Sequence, residues 1–210
     1  MSARSLADLV APAHTAVITQ ECQGAVVGPA AGLPVLADEA RRTALPNIGA
    51  LLPAARTAGV RVVHCLVWRR ADGLGSNHNA KLFALGRRGV AVTPGSEGAA
   101  LLPEFGPEPS DLVLSRQHGL GPMGGTDLDA VLRNLGVTTI VAVGVSLNVA
   151  IPNLVMDAVN AAYEVVLPRD AVAGVPREYG EGGIRQKRWV VEAPTPPPEK
   201  QGARGGGSGP

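Results

Sequence analysis

The run VRVVHCLVW, residues 60–68, is apolar on successive positions rather than on alternate ones. A strand with one wet face alternates, because neighbouring side chains point to opposite faces. A strand that is apolar almost throughout must be covered on both faces, which is the mark of a parallel sheet held between helices. Four further runs read as strands: TAVIT (15–19), DLVLS (111–115), TTIVAVGV (138–145) and EVVLP (164–168). Helical periodicity lies between them. Ile48, Leu51, Leu52 and Ala55 share one face, and Gly59 stops that helix. Thr126 is the expected N-cap of the next helix, with Asp127 and Asp129 in its first turn and Gly136 at its end. Val149, Leu154, Val155, Ala158 and Val159 line a third helix, with Pro152 early enough for its missing N–H to be tolerated. The series β-α-β-β-α-β-α-β predicts a three-layer α/β/α sandwich around a mostly parallel sheet. Two polar or Gly- and Pro-rich stretches, 69–83 and 89–110, read as loops.

Composition narrows the partners. A chain of 210 residues suits one domain, and with aromatics at only 3% its core must be aliphatic. Net charge is +1, with 19 basic against 18 acidic side chains, so neither nucleic acid nor an anionic membrane is expected as the main partner. One local arginine would still suffice for a carboxylated or phosphorylated small molecule. The start, MSARSLADLVAPAH, lacks the apolar run of a signal peptide, and no stretch reaches the ~18 apolar residues of a spanning helix. Cys22 and Cys65 both fall in or beside strands, unlike a disulfide scaffold. A cytoplasmic protein is expected, with an extension at 1–13, a domain at 14–190 and a disordered Pro-, Gly- and charge-rich tail at 191–210.

Residues 124–174 carry a longer pattern: a GTDL helix start, a strand ending in Gly-Val, the SLNVAIP turn, a helix containing Asp157-Ala158 and a final Asp170-Ala171 step. This block resembles the isochorismatase-like hydrolases, also called the cysteine hydrolase family, and TAVITQECQG resembles that family's first strand. The resemblance covers roughly residues 15–174 and implies the isochorismatase-like fold. It also implies an Asp after the first strand, a Lys after the third and, in amidase members, a Cys after the fourth. Glu21 stands at the first position, and Ala150 stands at the third. Arg116 stands at the second by its strand, although spacing from GTDL points to Gln117.

Ala150 has no atom that can attack a carbonyl, so thiol-based amide hydrolysis at that position is impossible. Members that cleave a vinyl ether need an acid instead, and that route stays open. Glu21, at the end of a central strand, is the candidate acid, in surroundings expected to be apolar. Arg116 cannot act as a base but can clamp a carboxylate or pair with Glu21. The resemblance implies a cis peptide between Val145 and Ser146. The N–H groups of Ser146 and Ala150 would then cradle an anion or carbonyl. Asn77, His78, Gln117 and His118 are expected at the pocket edge. His64 reads as a core histidine, Cys22 as a small core side chain beside the site and Cys65 as core. The stretch WRRADGLGSNHN lacks the Asp-x-His of metal-binding members, so neither a metal nor another cofactor is expected. Two functions follow: a hydrolase working through Glu21 and Arg116 without a thiol, on a small carboxylate or vinyl ether, or a catalytically silent member that binds a small molecule or a protein. Three simultaneous substitutions favour the second, a polar pocket the first. Self-association into a homo-oligomer is left open.

Overall fold

The computed structural model describes residues 5–178 together with Gly180, Gly182 and Gly183. The expected tail at 191–210 lies outside the described residues. In chain order the elements are α1 (Leu6–Leu9), β1 (Thr15–Gln20), α2 (Gly24–Val27), α3 (Pro34–Arg42), α4 (Ala44–Thr57), β2 (Arg61–Val67), α5 (Lys81–Arg88), β3 (Leu112–Arg116), α6 (Leu128–Asn134), β4 (Thr139–Val145), α7 (Ala150–Asn160), β5 (Glu164–Val166) and β6 (Val172–Ala173).

The strands lie in the order β3-β2-β1-β4-β5, with β6 also paired to β4, and every pairing is parallel. This is the α/β sandwich that the apolar strand runs imply. Val17, Val62, Leu66, Val141 and Val143 fill one face of the sheet with Leu36, Ile48 and Leu52 of α3 and α4. Ile18, Val63, Ile140 and Ala142 fill the other with Leu128, Leu132, Ile151 and Leu154 of α6 and α7. Strands β1 and β4 are buried at every position, whereas β3 is an edge strand with Leu112 and Val113 exposed.

From β1 the chain winds outward through β2 to β3, then returns to lay β4 on the other side of β1. The direction of winding therefore reverses between β1 and β4, and the C-terminal ends there open a crevice. The two strands approach closely at that point. A Cβ on Gly144 would stand 2.3 Å from the Gln20 carbonyl oxygen, and Gly144 has φ +108°. Gly144→Ala is expected to cost more than about 3 kcal/mol, since only backbone movement relieves the overlap. A urea midpoint close to that of the parent would refute this close packing.

The sequence reading needs correction in places. Helix α3 lies between β1 and α4, where the sequence patterns assign no element, although Pro34 opens it and Leu36, Ala37 and Ala40 are its buried side. Helix α5 begins in the last residues of the first stretch read as a loop and runs past its end. Helix α6 begins at Leu128 rather than beside Thr126, but the Thr126 hydroxyl still accepts from the Leu128 N–H at 3.0 Å. Residues 172–173 add the short β6.

Candidate functional site

Four strand ends converge on one cavity of about 340 Å³. Glu21 follows β1, Val67 ends β2, Arg116 ends β3 and Ser146 follows β4, and all four line it. Ala150, the first residue of α7, lines it too. In-register pairing explains the convergence: Gln20 lies opposite both Cys65 and Gly144, and Val67 lies opposite Arg116. About a hundred residues of chain thus close to side-chain contact across parallel strands.

Glu21 has a left-handed backbone, φ +54°, which non-glycine residues seldom adopt. Its N–H still donates to the Cys65 carbonyl at 2.9 Å, so the turn comes directly after the sheet bond. Its Oε1 accepts from Arg116 Nη2 in an ion pair and from Gln20 Nε2 at 3.1 Å. The surroundings of Glu21 are therefore not simply apolar, as expected from sequence, but contain an amide and a guanidinium. Arg116 is only 4% exposed. Its Nε donates to the Gly119 carbonyl at 3.4 Å, while Nη1 is buried and has no hydrogen-bond partner. A buried donor of this kind calls for an acceptor.

The Val145–Ser146 peptide is cis. The turn after it orders its amides. Leu147 N–H donates to Ala173, and those of Val149 and Ile151 to Ser146. Among the described residues no backbone carbonyl takes the N–H of Ser146 or Ala150. The α7 helix presents these amides at its N-terminal mouth.

Asn77, His78, Gln117 and His118 do not line the cavity, against expectation. Arg116 is the last residue of β3 and turns inward, whereas Gln117 already belongs to the bend that follows the strand. His78 and His118 are exposed. Asn77 Oδ1 accepts from the Gly119 N–H at 2.7 Å, which makes Asn77 a brace for the loop after β3. Gln23 was missed by sequence reasoning. It is fully buried, donates from Nε2 to the carbonyls of Val67 and Gly98 at 2.9 Å each, and accepts from the Val67 N–H at 2.7 Å. These bonds hold residues 89–102, which supply Val90 and Val92 to the cavity wall, against the end of β2. Its place three residues past β1 gave no periodic signal.

Neither thiol lines the cavity. Burial, and then the Glu21 and Glu104 carboxylates, push the Cys22 thiol up to about 12. Burial likewise pushes Cys65 up to about 12, aided by Glu21 and opposed by Arg116. Only the thiolate is a nucleophile, so both are inert. Iodoacetamide at pH 7.5 is expected to leave the folded protein unmodified and to label both cysteines after denaturation. Rapid labelling of native Cys22, seen by mass spectrometry, would contradict this.

His64 is fully buried on the α4 side of the sheet. Its Nε2 lies 3.2 Å from Asp111 Oδ2 and its Nδ1 2.7 Å from Thr19 Oγ1. The carboxylate can only accept, so the ring proton sits on Nε2 and the Thr19 hydroxyl donates to Nδ1. Arg56 grips Asp111 through Nε at 3.1 Å and Nη2 at 2.7 Å. A hydroxyl, an imidazole and a carboxylate in this order suggest a nucleophilic triad, but Thr19 is 0% exposed and does not line the cavity. The chain is a brace across β1, β2 and β3. Burial holds the His64 imidazolium below its ordinary range, opposed by Asp111. Burial would raise Asp111, but the bonds from Arg56, the Glu108 N–H and His64 outweigh it and hold that carboxyl low. A depressed histidine means that the unfolded chain binds more protons below about pH 6.5. Stability is then expected to fall as pH drops through that value. His64→Gln should flatten this part of the profile, and a wild-type urea midpoint unchanged between pH 8 and 5.5 would exclude the effect.

Among the described residues no group of three or more His, Cys, Asp or Glu side chains is placed to hold a metal, and no helix is long and apolar enough to cross a membrane. Residues 15–195 match the isochorismatase domain family. The chain belongs to the isochorismatase family. Ureidoacrylate amidohydrolase RutB of Rhizobium rhizogenes is 29% identical, over 76% of this chain and 70% of that one. A cysteine hydrolase from Pseudomonas syringae pv. phaseolicola shares the fold with a TM-score of 0.76, at 24% identity over 93% of this chain and 94% of its own. An isochorismatase family protein from Desulfovibrio vulgaris superposes with a TM-score of 0.72, at 26% identity over 87% of this chain and 93% of its own. The isochorismatase fold thus accounts for the sheet order and for the crevice at the strand ends.

Proposed function

We propose that this isochorismatase-family protein binds a small molecule through a carbonyl or carboxylate and performs no thiol-dependent amide hydrolysis. The observation that carries the reading is Ala150 at the cavity end of α7 with both thiols outside the cavity. Alanine offers no nucleophile there, and Cys22 and Cys65 are buried elsewhere with their thiols near 12. What remains is a cradle: the Ser146 and Ala150 amides, and Arg116 Nη1 without a partner. Arg116 and Gln20 both use Glu21 Oε1 as an acceptor, which suits a charge partner that orients Arg116 better than a proton donor.

A second reading keeps chemistry. Glu21 reaches the cavity wall, so its carboxyl group, when protonated, can serve as the acid toward a vinyl ether or a small carboxylate substrate without a thiol. One experiment separates the two. The protein is mixed with a panel of N-carbamoyl and vinyl-ether carboxylates, the former chosen because the similar RutB proteins are ureidoacrylate amidohydrolases. Melting temperature and product release are then followed together. Stabilisation without product supports the binding reading. Product release abolished by Glu21→Gln but untouched by alkylation supports the second, and release blocked by alkylation defeats both.

A further inference from the structure

The cradle fills only the polar end of the cavity. Away from it the wall is apolar, and its burial falls in steps. Leu36 of α3 and Val92 are 4% and 9% exposed, Phe83 of α5 is half-buried, and Leu33, Leu82 and Leu85 are 46%, 39% and 57% exposed. The apolar lining therefore runs from the closed interior out to the surface. Leu82 and Leu85 stand three residues apart, so they share one face of α5. Leu33 lies close to the end of that helix, because a Cβ on the preceding Gly32 would stand 3.8 Å from the Cα of Gly89, the residue after α5. The three leucines form one rim at the mouth rather than scattered exposures, and a contiguous apolar patch of this kind marks a surface that something covers.

The two ends of the cavity make different demands. At the inner end Arg116 is 4% exposed and its Nη1 has no partner, so an occupant must bring an acceptor there. At the mouth it must bring apolar surface. The cavity, about 340 Å³, is at the small end of the ~300–1,000 Å³ range of ligand pockets. A compact ligand held wholly inside meets the first demand and leaves the leucine rim in water. An elongated ligand meets both.

Resting on the binding reading above, we infer that the site takes an acyl chain of medium length. Its carbonyl or carboxylate head lies at Arg116 Nη1 and the amides at the mouth of α7. Its unbranched alkyl tail runs past Leu36 and Phe83 and leaves the cavity over Leu33, Leu82 and Leu85.

Calorimetric titration with butanoate, hexanoate, octanoate and 1-octanol, each below its micellar concentration, tests this. Affinity is expected to rise roughly two- to fourfold for each added methylene, so octanoate should bind about 20- to 200-fold more tightly than butanoate. The same tail on a neutral hydroxyl, in 1-octanol, should bind about tenfold more weakly than octanoate, because it makes a weaker bond to a buried guanidinium. The double variant Leu33→Ser/Leu85→Ser should bind octanoate about tenfold more weakly and butanoate within about twofold of the parent. Both sites are exposed, and serine is a favoured N-cap at residue 33, which opens α3. Leu74→Ser, at a leucine that is 69% exposed but does not line the cavity, should bind the whole series as the parent does. Equal affinities along the series overturn the proposal, as do equal binding of octanoate and 1-octanol, a parental octanoate-to-butanoate ratio in the double variant, or no binding by any of the four. A rim covered instead by a second copy of the chain would show as a dimer in sedimentation that the double variant dissociates, with no gain along the series, and that result overturns the proposal too. If the double variant does not fold, the parent's series decides alone. Flat affinities with binding intact leave the binding reading standing, whereas thiol-dependent product release defeats it, so the two failures are distinct.

Discussion

Replacing Glu21 with leucine is expected to lower the unfolding free energy by roughly 3–5 kcal/mol, the cost of removing one member of a buried ion pair. Arg116 is left behind at 4% exposure, with Nη1 already lacking a partner and Nη2 newly deprived of one. The loss corresponds to a fall in Tm of about 10 °C in a domain of this size. Arg116→Met should cost less, because Glu21 is more exposed, at 15%, and keeps the bond from Gln20 Nε2. The double variant should recover much of the loss, since no uncompensated charge remains. Urea titration of the four proteins gives the coupling directly. Additive single effects, or a Glu21→Leu cost below about 1 kcal/mol, would show that the pair is solvated rather than embedded.

The family resemblance put Glu21 and Arg116 just after two predicted strands, so their pairing was already allowed by the sequence. TAVIT leads into Glu21 and DLVLS into Arg116, and parallel strands bring their C-terminal ends to one edge. Resolving Arg116 from Gln117 needed the structure. Sequence does not place a strand end to the residue, and β3 ends between these two. The error at Asn77, His78, Gln117 and His118 has a different origin. Polar loop residues that follow a strand end in sequence need not face the crevice, and Asn77, in the loop after β2, instead accepts from the Gly119 amide in the loop after β3. The apolar wall was hidden for a third reason. Lys81–Arg88 is a short helix that begins in the last residues of a polar stretch, too brief for a clear period, so Phe83 had no element to belong to. Gln23 shows the limit most sharply. Its bonds to Val67 and Gly98 span 44 and 75 residues, and nothing local announces them.

Ala150→Cys is expected to create a reactive thiol where the native protein has none. Residue 150 opens α7, an eleven-residue helix, and lines the cavity. A thiolate there would face the helix N-terminus and the unspent amides of Ser146 and its own residue, both of which favour negative charge. Iodoacetamide should therefore label the variant more than about a hundredfold faster than the parent at neutral pH. The background is low, because Cys22 and Cys65 are buried with thiols near 12. Peptide mapping should place a single adduct on the new cysteine. Amide hydrolysis is not expected to follow from this change alone. A thiol attacking a carbonyl needs a neighbour to take its proton and return it to the leaving amine. Arginine is too basic to take it, and Glu21 Oε1 is occupied by Arg116 and Gln20. Fast labelling without turnover would show that the turn after β4 keeps its electrostatic character while the surrounding pair serves to hold a ligand. Labelling no faster than in the parent would mean that residue 150 is not at an activating helix mouth. Turnover on a carbamoyl substrate would mean that Glu21 and Arg116 still support proton transfer to and from a thiol, so that residue 150 alone separates this site from thiol-dependent hydrolysis.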